Sequence, residues 1–446
     1  MYVPGAYWIS KSPLRAAGVL LLVAATAVIT CFWTDFCFWR AELNLKMRQP
    51  ERAMNWVARS EWLRSGSSPE ACLLQLRISR RLQDFGKVEK LLQDAAALGV
   101  SPREIRRERQ LAMAQTHQFN AMQSQWSELL NDPRDDGPEI ARAYYTWAML
   151  HYYPGLAEKT LNLWHADYPE DAEPLFLKGR FYESQENWEG AEDSYRDACQ
   201  LDSQKDEYRL ALARALQERL NPKESVPLYQ RSLREDPKNV TALIGLAECE
   251  ATIGNLESAV QLSQRAMAID PDNFKVQITH GELLLAAGDA TTAAAILSKA
   301  YQRFPEHSNL ANSLANAFKQ CGRNAEAEPL FAFVAESRPH LDGLLQLERK
   351  LQLDPDNLNL RMEIASITAR YVSREDAVQW YENLLRVSPD FRPAREAMAA
   401  LTRELGDKTQ SEKSAGRVGS FQGSQEQEEQ VHRALVPAAA ADSPSK

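Results

Sequence analysis

This chain predicts an all-α solenoid of about ten helix–turn–helix units, with one transmembrane helix at its N-terminal end. Three observations carry that reading. Pro237, Pro271, Pro305 and Pro339 stand 34 residues apart, and Pro355 and Pro389 repeat the interval. Small and large side chains recur in phase with those prolines. Ala16 to Trp33 holds no charged residue, and its only polar members are Thr26 and Thr30.

The prolines close each unit. Glu235-Asp236-Pro237-Lys238-Asn239, Ile269-Asp270-Pro271-Asp272-Asn273 and Leu353-Asp354-Pro355-Asp356-Asn357 share one pattern. Proline cannot continue a helix and restricts the residue before it. Twelve residues ahead of each proline or its equivalent stand Ala157, Ala191, Ser225, Ala259, Ala293, Ala327 and Ala377. Eight ahead stand Tyr195, Tyr229, Leu297, Phe331 and Tyr381. Eight residues into each unit come Gly179, Ala213, Ala247, Gly281, Ala315 and Ala365. Small residues let two helices approach, and bulky ones fill the groove beside them. Turns fall at Ile253-Gly254-Asn255 and Ala287-Gly288-Asp289. A single pair of helices cannot bury its apolar face alone, so stacking must supply the core.

In period, small columns, aromatic column and terminal proline, residues 172–389 resemble the tetratricopeptide-repeat family. The family's tryptophan early in the first helix is absent; Leu175, Leu243 and Gln277 stand there. The resemblance implies a right-handed superhelix that binds a protein or peptide partner on its concave face. Carried over position by position, it nominates Phe176, Arg180, Arg214, Glu248, Lys275, Asn309, Asn312, Asn316, Lys319 and Arg370 as partner-binding. Leu210, Gln217, Ile244, Ile278, Glu282, Gln320 and Met362 occupy matching positions. The Asn, Gln and Lys face of 308–321 stands out, because side-chain amides can pair with both donor and acceptor of an extended backbone.

Along the chain, residues 1–13 form a flank and 14–34 the expected membrane span. Residues 35–168 read as degenerate hairpins with weaker columns, and 169–339 as five regular repeats. A lone helix is expected at 340–354, a further repeat at 355–389 and a capping helix at 390–405. The tail 406–446 turns to Ser, Gln, Glu and Gly, a composition that argues for disorder.

Aromatic residues flank the apolar run on both sides, as in a membrane interface: Tyr7 and Trp8 before it, Phe36, Phe38 and Trp39 after it. Lys11 and Arg15 precede it, which places the N-terminus in the cytoplasm and the repeats outside. The expectation is a single-pass protein of a bacterial inner membrane, similar in outline to bacterial envelope repeat proteins. Arg77, Arg80, Arg81, Lys87 and Lys90, with Arg103, Arg106, Arg107 and Arg109, offer a surface for anionic headgroups or an ordinary salt-bridged face. Ala25-Thr26-Ala27 keeps open a cleaved signal peptide and a secreted or periplasmic protein.

Other function classes find little support. The net charge is −9, and residues 136–405 carry 29 Lys/Arg against 42 Asp/Glu. An acidic array disfavours nucleic acid, which requires clustered cations. The six cysteines, at 31, 37, 72, 199, 249 and 321, form no CxxC, so no disulfide framework or zinc site is expected. No histidine pair has metal-ligand spacing, and no phosphate loop or nucleophile elbow occurs. The chain is expected to be no enzyme, to need no cofactor or metal, and to take no small-molecule substrate. The favoured role is a membrane-anchored protein-interaction scaffold. The alternatives are the secreted form and a regulatory subunit of an envelope polysaccharide or transport complex.

Overall fold

The computed structural model describes residues 32–61, 68–116, 118–122 and 124–414. Among them every regular element is helical. The chain divides into two compact units, Met1–Ala143 and Tyr144–Lys446.

Unit 1 begins with a helix over 32–46, here α1. It continues through α2 (Pro50–Glu61), α3 (Pro69–Arg81), α4 (Phe85–Ala97) and α5 (Pro102–Gln115). Two short helices follow, α6 (Phe119–Met122) and α7 (Trp126–Asn131). The helix starts are chemically marked. The Ser68 hydroxyl accepts from the Ala71 N–H ahead of Pro69, and Asp84 accepts from the Lys87 N–H. Both satisfy amides that the helix itself leaves unpaired. Leu76, Val88 and Leu92 form one buried cluster, and Ala41, Val57, Leu74 and Ile78 another.

The basic cluster of this unit is largely committed internally. Arg80 is 0% exposed, and its Nε donates to Glu108 at 2.9 Å and its Nη2 to Asp136 at 2.6 Å. Arg107 is also buried and donates to Asp136 and to the Asp132 and Pro133 carbonyls. Neither can lie on a headgroup; the salt-bridged reading of these residues is the correct one.

The expected single-pass membrane localisation is corrected. Among the described residues no helix is long and apolar enough to cross a membrane. The expected span at 14–34 falls, apart from its last residues, outside the described part of the chain.

Unit 2 takes in α8 (Gly137–Leu150) from Tyr144 onward, then α9 (Pro154–Asp167). Regular pairs follow: α10 (Glu173–Ser184) with α11 (Trp188–Leu201), and α12 (Asp206–Glu218) with α13 (Pro222–Glu235). Next come α14 (Val240–Ile253) with α15 (Leu256–Ile269), α16 (Phe274–Ala286) with α17 (Ala290–Arg303), and α18 (Ser308–Gln320). Asn239, Asn273 and Asn357 each accept from the N–H three residues on, and His307 does so with Nδ1.

At position 341, one repeat after His307, the cap is missing and Leu stands instead. No new helix starts there. A single helix, α19 (Asn324–Leu353), runs through Pro329 and Pro339, in place of a repeat end and a separate lone helix. An interior proline costs about 3 kcal/mol, and burial of Ser337 against the Ser308 hydroxyl helps hold the helix together past it. The array closes with α20 (Leu358–Tyr371), α21 (Arg374–Val387) and α22 (Arg392–Ser414). The last of these carries helix into the segment expected to be disordered; residues 415–446 lie outside the described part.

A second column marks the turns inside the pairs. Tyr152, Glu186, Leu220, Gly254, Gly288 and Gly322, each 34 residues from the next, have positive φ of 61, 55, 58, 98, 86 and 75°. A left-handed residue reverses the chain there, which glycine does without strain.

The core follows the small-to-large logic. A Cβ on Gly179 would lie 2.4 Å from the Tyr195 ring, and one on Gly281 2.6 Å from Leu297. First helices of successive pairs touch directly, α12 with α14, α14 with α16 and α16 with α18. The second helices pack mainly against first helices. The first helices therefore form the closer-spaced layer, here called the inner face.

Candidate functional site

A solvent-reaching polar column runs down the inner face. Arg180, Arg214, Glu248, Glu282 and Asn316 stand one repeat apart on α10, α12, α14, α16 and α18. The buried faces of the same helices, such as Ala213, Ala247, Gly281 and Ala315, fix how these side chains project.

Hydrogen bonds tie neighbouring rungs together. Arg214 pairs with Glu183, whose carboxylate also accepts from the Tyr195 hydroxyl at 2.7 Å. Glu248 is a hub: Gln217 donates at 2.8 Å and Thr279 at 3.2 Å, and the Lys275 ammonium lies at 2.6 Å. The Ser313 hydroxyl donates to Glu282 at 2.7 Å. Water reaches Arg214 and Glu282. Yet the surrounding protein lowers the Arg214 pKa and pushes the Glu282 carboxyl up, against the Ser313 bond that lowers it. Exposure combined with a disfavoured charge marks a recessed surface that remains open to solvent.

Nine of the ten nominated residues fall into three groups. Arg214, Glu248 and Lys275 belong to the bonded network. Arg180, Asn309, Asn312, Asn316 and Lys319 lie on the same helices; the amides of Asn312 and Asn316 make no hydrogen bond among the described residues, and Arg180 makes no ion pair there. Arg180 lies 5.9 Å from the Phe176 ring. Arg370 stands apart on α20, where it bonds Glu336 of α19 at 2.6 Å.

Phe176 is a correction. It is 7% exposed and packs against Tyr208 and Tyr195 with ring centres 4.6 and 5.6 Å away, so it belongs to the core. Glu183, Thr279 and Ser313 join the site unforeseen. Each lies three or four residues from a column member, one helical turn away on the same face, which is the signal that could have found them. Among the described residues no three His, Cys, Asp or Glu side chains group as metal ligands.

Two family models described as tetratricopeptide repeat match residues 210–274 and 284–342. No curated protein matches the chain. Similar solved structures include a tetratricopeptide repeat protein from Parabacteroides merdae, 15% identical, covering 62% of this chain and 98% of that one at a TM-score of 0.38. PilW, titled a widely conserved type IV pilus biogenesis factor, is 18% identical, with 44% and 92% covered and a TM-score of 0.39. MamA from Desulfovibrio magneticus is 19% identical, with 37% and 94% covered and a TM-score of 0.35. Over residues 210–274 and 284–342 the proline period and the small-residue columns agree with both matches, and these segments are similar to tetratricopeptide repeats.

Proposed function

We propose that unit 2 holds an extended polypeptide along its inner face, with the column from Arg180 to Asn316 setting the direction in which it lies. Tetratricopeptide repeats are generally protein-interaction scaffolds and typically not catalytic. The observation that carries the reading is the sign change along the column: two arginines, two glutamates, then an asparagine. An acidic stretch of the partner lies over Arg180 and Arg214, and a basic one over Glu248 and Glu282. The unpaired amides of Asn312 and Asn316 take the neutral backbone beyond.

Panning a random displayed-peptide library against the full chain tests this. Enriched peptides should carry acidic residues towards one end and basic residues a few positions away. Arg180→Glu with Arg214→Glu should invert the acidic preference and weaken the selected peptides by about tenfold or more, the scale of one charge-assisted hydrogen bond. Enriched peptides with no charge order, or the same order on the doubly reversed chain, end this reading.

A further inference from the structure

Unit 2 touches itself between its first and last helices. Arg361 of α20 is 1% exposed and reaches the turn between α8 and α9. Its Nη1 donates to the Leu150 carbonyl and its Nη2 to the His151 carbonyl, both at 3.2 Å. Nε and Nη2 also donate to the Pro355 carbonyl at 3.0 and 2.8 Å. The guanidinium lies 5.0 Å from the Tyr152 ring centre, and that ring stacks on Trp380 of α21 at 5.4 Å and 25°. One turn along, Gln352 of α19 donates to Gln185, beside Glu186, at 3.1 Å. The turns that follow α8 and α10 thus receive side chains from α19, α20 and α21.

Glu348 of α19 sits within this seam. It is 8% exposed and makes no hydrogen bond or ion pair among the described residues. Glu186 is the charged group that acts on it from the opposing turn. Tyr152 feels both Glu348 and Arg361, while Asp356, His151 and Arg386 cluster further along, around Arg361 and the α8–α9 turn. The Arg361 donors already end on carbonyls, so that cation does not neutralise Glu348. A buried carboxyl that faces another carboxylate is stable only when neutral.

We propose that the seam is a clasp that takes up a proton on Glu348 as it closes, so that acid holds unit 2 shut and alkali releases it. The sign follows from the two states. With the seam closed, burial and then Glu186 push the Glu348 carboxyl up to about 8; with the seam open, it returns to the ordinary range near ~4.3. Between these limits the closed form binds the proton and the open form does not, so closure weakens as pH rises and levels off beyond each limit. The clasp stands whether or not the inner face binds a peptide.

Native-state amide hydrogen exchange of the full chain, corrected for the intrinsic pH dependence of exchange, reads the seam directly. Protection at 148–153 and 348–361 should fall by up to about tenfold per pH unit between roughly pH 5 and pH 8. Protection in α14 and α15 should stay constant. Glu348→Gln, neutral at every pH, should keep its seam protection flat. Wild-type protection that does not change with pH, or a Gln variant that loses it as the wild type does, overturns the clasp. If Glu348→Gln loses protection throughout the chain, Glu186→Gln decides: it removes the lesser of the two causes, so the fall in protection should end at a lower pH than in the wild type, and a fall that ends at the same pH overturns the clasp equally.

Discussion

Replacing Asp136 by Asn should loosen unit 1 by several kcal/mol while barely altering its shape. Asp136 lies in the turn before α8, and its two oxygens accept from three arginines: Arg80 at 2.6 Å, Arg81 at 3.2 Å and Arg107 at 3.1 Å. Burial works against its charge, but Arg80 and Arg81 outweigh burial and hold its carboxyl down to about 2, against an ordinary 3.8. At about 1.36 kcal/mol per unit, that depression corresponds to roughly 2.5 kcal/mol at neutral pH. Removing one partner of a buried ion cluster reaches about 3–5 kcal/mol, because the remaining charges stay buried. The expected loss lies between those figures. Native-state hydrogen exchange of α3 and α5 amides in the full chain measures it. A depressed carboxyl contributes stability above its ordinary pKa and loses it as pH falls through the depressed one, so the deficit of the Asn variant should shrink towards pH 2. A variant within about 0.5 kcal/mol of wild type at pH 7, the scale of an inert surface change, would refute the reasoning. So would a deficit that is undiminished in acid.

Leu220→Gly should stabilise the α12–α13 pair by about 1 kcal/mol, because a left-handed L-residue costs about 1–2 kcal/mol and Leu220, 81% exposed, gives up little burial. Its signature is slower exchange of the α12 and α13 amides. Gly179→Ala should destabilise by about 1–3 kcal/mol through overpacking, since its Cβ would lie 2.4 Å from the Tyr195 ring; a urea titration followed by circular dichroism measures the shift. Leu341→Asn restores the missing cap and should break α19 after Pro339, seen as faster exchange at 340–342 with neighbouring turns unchanged. Seam protection in the Glu348 variants, described above, completes the set.

The repeat was legible because its cause is local. Proline, alanine and tyrosine at fixed offsets encode helix ends and close packing, and a single sequence shows them directly. The fused helix α19 is marked in the sequence only by the Leu at 341, where a capping side chain was due. Position alone did not show that Phe176 is buried, because the rings that cover it, Tyr195 and Tyr208, come from the next two helices. Partners such as Arg361 and Leu150 are brought together by the winding of the whole array, and no local pattern announces them. The arginines of unit 1 looked like a surface in sequence because the carboxylates that bury them, Glu108 and Asp136, lie one and two hairpins away.

The turn column divides the array into two kinds of corner. Gly254, Gly288 and Gly322 take the left-handed conformation freely, whereas Tyr152 and Glu186 take it against their own side chains. Those two strained corners are the ones that meet the far end of unit 2, Tyr152 on Trp380 and Glu186 opposite Glu348. A glycine at either corner would relax the backbone and remove the side chain that makes the contact. At these two corners a relaxed backbone and the contact with the far end therefore exclude one another. Leu220, the next corner after Glu186, is as left-handed as they are and exposed to solvent.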